Sequence, residues 1–129
     1  MIQIAKNDSY EMSVDTDKNR FYLTIKGFWK KPDQVPEYVA DIKAAIDKMK
    51  PGFTILTDLR TMKPPTTEIG QLHVEAQKSL VEGGLSKTAE VVGSAILLEM
   101  QLKKYAQTSS MSKAEFESVE EAEAWLDSN

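Results

Sequence analysis

The 129-residue chain has no cysteine, one histidine, six glycines and five prolines. Without thiols there is no disulfide framework, no thiolate nucleophile and no cysteine-ligated metal, and a cytosolic location is expected. The lone histidine, His73, lies beside Leu72 on the apolar stripe of an expected helix. It has no Ser or carboxylate in a recognisable dyad spacing and is expected to be a partly buried structural residue. No Asp/Glu/His pattern has metal-ligand spacing, and no cofactor is expected. A glycine-rich phosphate loop is also missing, because Gly83-Gly84 ends a helix rather than opening one. No apolar run approaches the roughly 20 residues of a membrane span. The opening Met1–Asp8 has no basic segment followed by an apolar core, so no signal peptide is expected. A formal net charge of −4 gives no general attraction to nucleic acid.

The chain does contain alternating and helical apolar patterns in a regular order. Tyr10, Met12 and Val14 alternate with polar residues, as do Phe21, Leu23 and Ile25, and the turn-forming run Asp15–Asn19 lies between them. Together they predict an antiparallel hairpin with one face on a core, ending at Gly27-Phe28-Trp29, with both aromatics expected to pack under the following loop. Val39, Ile42, Ile46 and Met49 recur at helical spacing after Pro36, a good first helical residue; Pro51-Gly52 stops them. Residues 53–59 (FTILTDL) are apolar on both parities, as in a central strand covered on both faces. A helix over about 67–82 carries the stripe Ile69, Leu72, His73, Ala76, Leu80. A short strand over 89–93 follows, then a helix over about 94–105 that is apolar over a wide arc through Leu97, Leu98, Met100 and Leu102. A short extended piece over 114–117 precedes a helix opened by the capping box Ser118-Val119-Glu120-Glu121, with Ala122, Trp125 and Leu126 facing inward. The charge runs at 26–31 and 115–127 read as solvated surface.

This order predicts one α/β domain: a mixed, mostly parallel sheet of four to five strands, opened by an antiparallel hairpin and carrying about four helices. Three features make the chain resemble the STAS superfamily, named for sulfate transporters and anti-sigma-factor antagonists. They are the hairpin ending at Gly27-Phe28, the strand Ile55–Leu59, and the tail Phe116–Leu126 with its capped helix and Trp-Leu. The chain is more closely similar to the stand-alone bacterial STAS-like proteins grouped with lipid-binding CRAL-TRIO domains. In the antagonist branch a central strand ends in a polar residue and leucine, and a loop then delivers an Asp-Ser pair, whose Ser is phosphorylated, to a helix start. The resemblance places the strand end on Asp58-Leu59 and the pair on Thr66-Thr67, with Thr67 as the acceptor. A helix N-terminus suits a phosphate, and Thr is also an ordinary helix cap. Pro64-Pro65 and the Glu68-Ile69 spacer before Gly70 depart from the family pattern, and Glu68 would repel a phosphate.

The expected function is therefore a non-catalytic cytosolic module that binds a protein partner. Its surface would be the loop 60–66 and the first turn of the next helix, with Thr66 or Thr67 as a candidate switch. Asp58 and Arg60 would form either an anion-binding loop end or a local surface pair. A second reading is a small apolar or lipid-like ligand held between sheet and helices around Phe28, Trp29 and Leu97. An enzyme would require His73, Asp58 or Glu68 to converge in a cleft. The 95–105 helix and the hairpin edge each offer a homodimer surface.

Overall fold

A computed structural model describes residues 1–63, 66–92 and 113–128. The strands are β1 (Ile2–Lys6), β2 (Tyr10–Asp15), β3 (Arg20–Gly27), β4 (Thr54–Met62), β5 (Lys87–Val91) and β6 (Lys113–Phe116). The described helices are α1 (Tyr38–Ile46), α2 (Thr67–Glu82) and α3 (Val119–Asp127), with one 3-10 turn at Pro32–Gln34. All six strands join one sheet in chain order. The β1–β2 and β2–β3 pairs are antiparallel; β3–β4, β4–β5 and β5–β6 are parallel. The mixed sheet with a hairpin opening is thus as expected, but it has six strands rather than four to five. The missed strand is β1. Its Ile2-Gln3-Ile4-Ala5 alternation is only four residues long, lies at the sheet edge, and leaves Ile2 41% exposed. Such a run gives little hydrophobic contrast to read.

β4 carries both cores. Ile55 and Leu59 join the large cluster with α1 and α2, while Leu56 joins a second cluster with Ala122 and Leu126 of α3. This is the period-2 consequence of a strand covered on both faces. β4 also runs three residues past the expected end. The β3–β4 register steps from Thr24 opposite Asp58 to Lys26 opposite Thr61, so β4 accommodates one extra residue there. A bulge of this kind shifts the side-chain alternation, and it lets Leu59 and Met62 enter the same core. Arg60 and Thr61 are therefore strand residues, and the expected loop over 60–66 is shorter than its sequence implied.

α1 begins at Tyr38, two residues after Pro36, and ends before Met49. α2 buries Ile69, His73, Ala76 and Leu80, as its stripe predicts. Its C-terminus turns through Gly83-Gly84. Gly84 has φ +107, and a Cβ there would lie 2.6 Å from Pro51 Cα, so the close approach of the two turns requires glycine. The Gly52 N–H donates to the Gly84 carbonyl at 2.7 Å across that approach. At α3, the Glu121 N–H donates to Ser118 Oγ at 3.2 Å. The reciprocal half of the box differs from expectation: the Ser118 hydroxyl itself donates to Glu121 Oε1 at 3.1 Å. The expected helix over 94–105, with Leu97 and its dimer surface, lies outside the described residues.

Candidate functional site

At the carboxyl ends of β3 and β4 two connections are tied together. β3 ends at Gly27 with φ +70, and the Lys63 N–H donates to the Gly27 carbonyl at 3.0 Å. The chain then sends its two aromatics in opposite directions. Trp29 is 3% exposed and Phe28 is 42% exposed. The Trp29 indole N–H donates to the Lys26 carbonyl at 3.1 Å, which fixes the turn and leaves Phe28 outside, with the Lys30 ammonium 6.0 Å from its ring centroid. The expectation that both aromatics pack under the loop thus holds for Trp29 alone.

The two threonines take different positions. Thr66 is the N-cap of α2: its Oγ1 accepts the Ile69 N–H at 3.3 Å. The same hydroxyl donates to the Lys30 carbonyl at 3.0 Å. Thr66 therefore fastens the helix start to the loop after β3, using both the donor and the acceptor capacity of one hydroxyl. Thr67 is the first helical residue and is exposed, with the positive end of the helix dipole beside it. Pro64-Pro65 lies outside the described residues.

Asp58 and Arg60 do not join this corner. Asp58 shares the parity of Leu56 and lies on the α3 side of the sheet. Arg60 donates through Nε to Asp58 Oδ1 at 3.0 Å and through Nη2 to Oδ2 at 2.8 Å, and its backbone N–H reaches Oδ1 at 3.1 Å. Burial pushes the Asp58 carboxyl up, but these hydrogen bonds and the guanidinium charge outweigh it and hold the group below its ordinary value. The pair is a satisfied local ion pair. His73, Asp58 and Glu68 do not converge: His73 lies under α2, Asp58 lies on the other face, and Glu68 is exposed on the first turn.

The interior beside Trp29 is aromatic. The His73 ring stacks on Trp29 at 5.5 Å and 23°, and Tyr38 meets both edge-on at 5.8 and 4.9 Å. Burial pushes the His73 imidazole down to about 4, so it is neutral near neutral pH. Next to it is a cavity of about 40 Å³ lined by Tyr38, Thr57, His73, Gln77, Thr88 and Glu90, among others. Drug-sized ligands occupy roughly 300–1,000 Å³. This cavity is therefore too small for a lipid-like molecule, and the part of the expected pocket around Leu97 lies outside the described residues. Trp29 is committed to the core and Phe28 to the surface, and neither lines this cavity.

One group of polar side chains, which hydropathy does not announce, holds α3 to the sheet. Arg20, 4% exposed at the start of β3, donates to Glu123, to Asp127 Oδ1 at 2.9 Å, and to Thr54 Oγ1 at 2.9 Å. The Tyr22 hydroxyl donates to Glu123 Oε1 at 2.8 Å. Part of the acidic run 115–127, read as solvated surface, thus fastens α3 to the sheet. Glu123 stands one position after Ala122 on the inward face, and that offset is the signal that could have revealed it.

No family model and no curated protein matches the sequence. Among solved structures, the chain is similar to an uncharacterized protein of the DUF3478 family with a SpoIIAA-like fold from Shewanella loihica PV-4. The identity is 12%, the match covers 95% of this chain and 97% of that one, and the TM-score is 0.61. At this identity the likeness is one of fold, and the fold is the SpoIIAA-like, STAS-like arrangement expected from the sequence.

Proposed function

We propose that the protein is a non-catalytic interaction module whose working surface is the corner formed by Phe28, Lys30, Lys63 and the exposed start of α2 at Thr67. The observation that supports this most is Phe28. Among the described residues it is the exposed aromatic, 42% accessible, and aromatic anchors are enriched in binding hot spots. It stands on a loop held by the Lys63–Gly27 and Thr66–Lys30 hydrogen bonds, so a partner would meet a surface already ordered, at little entropic cost. Thr66 is occupied as cap and tie, which leaves Thr67 as the acceptor if the surface is switched by phosphate. A phosphate there would gain the helix N-terminus and would face Glu68 as a repulsive neighbour.

The test is photo-crosslinking in the native host, with a photoreactive residue replacing Phe28, Thr67 or, as a control, Val81 near the far end of α2. The same discrete adduct from the first two positions and its absence from the third supports the corner as the surface. Identical behaviour at all three positions refutes it. Phosphopeptide mapping of residues 61–78 from the same cells decides whether Thr67 carries a phosphate.

A further inference from the structure

Two buried polar atoms face each other's elements beneath α2. Among the described residues, His73 Nε2 on α2 and Thr88 Oγ1 on β5 have no hydrogen-bond partner, and the two residues are 4% and 1% exposed. Leaving such atoms unpaired is costly, because each loses its hydration and gains nothing in return. In native proteins nearly all buried polar atoms are paired, with protein or with ordered water. Both residues line the cavity of about 40 Å³, together with Thr57, Gln77 and Glu90.

The contents of the cavity follow from its size and lining. Much of the wall is apolar, with Leu23, Ile25, Ile55 and Leu59 beside the polar groups; a wholly apolar cavity stays dry, whereas one with several hydrogen-bonding groups in its wall can hold water. The volume accommodates roughly one or two waters and no organic ligand. Water also suits the ambiguity of a neutral imidazole, since it can donate to Nε2 or accept from it according to the tautomer. The opposite face of the sheet offers a contrast. There α3 approaches β5 closely, and the seam contains the small residues Ala89 and Ala122. Under α2 the corresponding β5 positions are Thr88 and Glu90, and the helix leaves space between itself and the strand.

We propose that this cavity is a hydration site in which one or two water molecules bridge α2 to β5 through His73 Nε2 and Thr88 Oγ1. The middle of α2 is then seated on the sheet through exchangeable water, while its N-terminus is tied directly by Thr66.

A high-resolution crystal structure of the full chain tests this directly. Density within hydrogen-bond distance of both His73 Nε2 and Thr88 Oγ1 supports the site; a featureless cavity overturns it. Thr88→Val, which exchanges the hydroxyl for a methyl group, gives an independent sign. If the hydroxyl is water-bridged, the urea midpoint falls. If the hydroxyl is buried dry and unpaired, removing it raises the midpoint and overturns the proposal. Should the variant fail to fold, the density in the wild-type protein decides alone.

Discussion

Acid should destabilise this protein through His73 before Asp58 and Asp127 lose their charge. An unfolded histidine titrates near 6.5, and burial lowers the folded value to about 4. Between those values the unfolded chain binds a proton that the native state does not, so stability rises with pH through the window. The contribution is fully present above the unfolded value and is lost as pH falls toward the folded one. Each pH unit between the two values is worth ~1.4 kcal/mol, which gives about 3 kcal/mol in total. Most of it, about 2 to 3 kcal/mol, is already lost by pH ~4.5. That is a large part of the roughly 5–15 kcal/mol that stabilises a typical domain. Asp58 and Asp127 are held below their ordinary value by Arg60 and Arg20. Their contribution is present above the unfolded carboxylate value and is lost at lower pH, so it leaves the upper window to His73. The assay is urea unfolding from neutral pH downward, paired with the Hε1 proton resonance, which in a one-histidine chain needs no assignment. His73→Phe keeps a ring against Trp29 and removes the titration; its stability should fall less steeply between pH ~6.5 and ~4.5 than that of the wild type, by the part of the slope the imidazole supplies. Glu90 lines the same cavity and is present in both proteins, so the Hε1 resonance, which follows the imidazole alone, assigns the difference between them. A folded-state resonance titrating near 6.5, or a His73→Phe variant that keeps the full slope, would refute the reasoning.

Thr66→Ala should cost about 1 kcal/mol or somewhat more, the usual loss of a helix cap, while Thr67→Ala stays within about 0.5 kcal/mol. Chemical denaturation of the two variants checks the assignment, and the reverse order would place the cap on Thr67. Arg20→Met should lower stability by about 1–3 kcal/mol, below the usual cost of breaking a fully buried pair because Glu123 remains partly hydrated. Hydrogen exchange should show α3 amides losing protection before the rest, and uniform loss across the chain would contradict a local latch. Gly84→Ala should cost about 2 kcal/mol or more, since φ is +107 and the new Cβ meets Pro51 backbone at 2.6 Å. A thermal midpoint unchanged from wild type would show that the 51–52 and 83–84 turns separate freely.

Periodicity made the fold legible where a residue's environment was one-sided. Tyr10–Val14 and Ile69–Leu80 each have one face on the large core and a more exposed polar face, and Phe21–Ile25 alternates core residues with Tyr22 and Thr24 on the α3 side, so their patterns read directly as strand or helix. β4 was legible for the opposite reason: both parities are apolar because both faces are covered. The features that escaped are those that break a period. The extra residue in β4 between Asp58 and Thr61 shifts the alternation, so Met62 looked like loop although it is 7% exposed in the core. Phe28 and Trp29 are chemically similar neighbours, and their opposite fates depend on a left-handed glycine before them and on the partners of the Trp29 indole, neither of which hydropathy encodes.

The candidate site was half legible for a related reason. Capping is a local interaction, so Thr66-Thr67 before a helical stripe announces a helix start. Which threonine caps is decided 36 residues away, because the Thr66 hydroxyl also donates to the Lys30 carbonyl. That long-range bond separates the two possible roles: it occupies Thr66 and leaves Thr67 exposed. Asp58 and Arg60 were grouped with the threonines by their nearness in sequence, yet strand alternation carries them to the α3 face and the carboxylate is satisfied there by its own neighbour. A partner approaching the corner would therefore meet Phe28, Lys30 and Thr67 without the Asp58–Arg60 pair. Substituting Asp58 should change stability without changing any crosslink formed from position 28 or 67. Loss of those crosslinks in a folded Asp58→Asn protein would mean that both sheet faces take part in the contact.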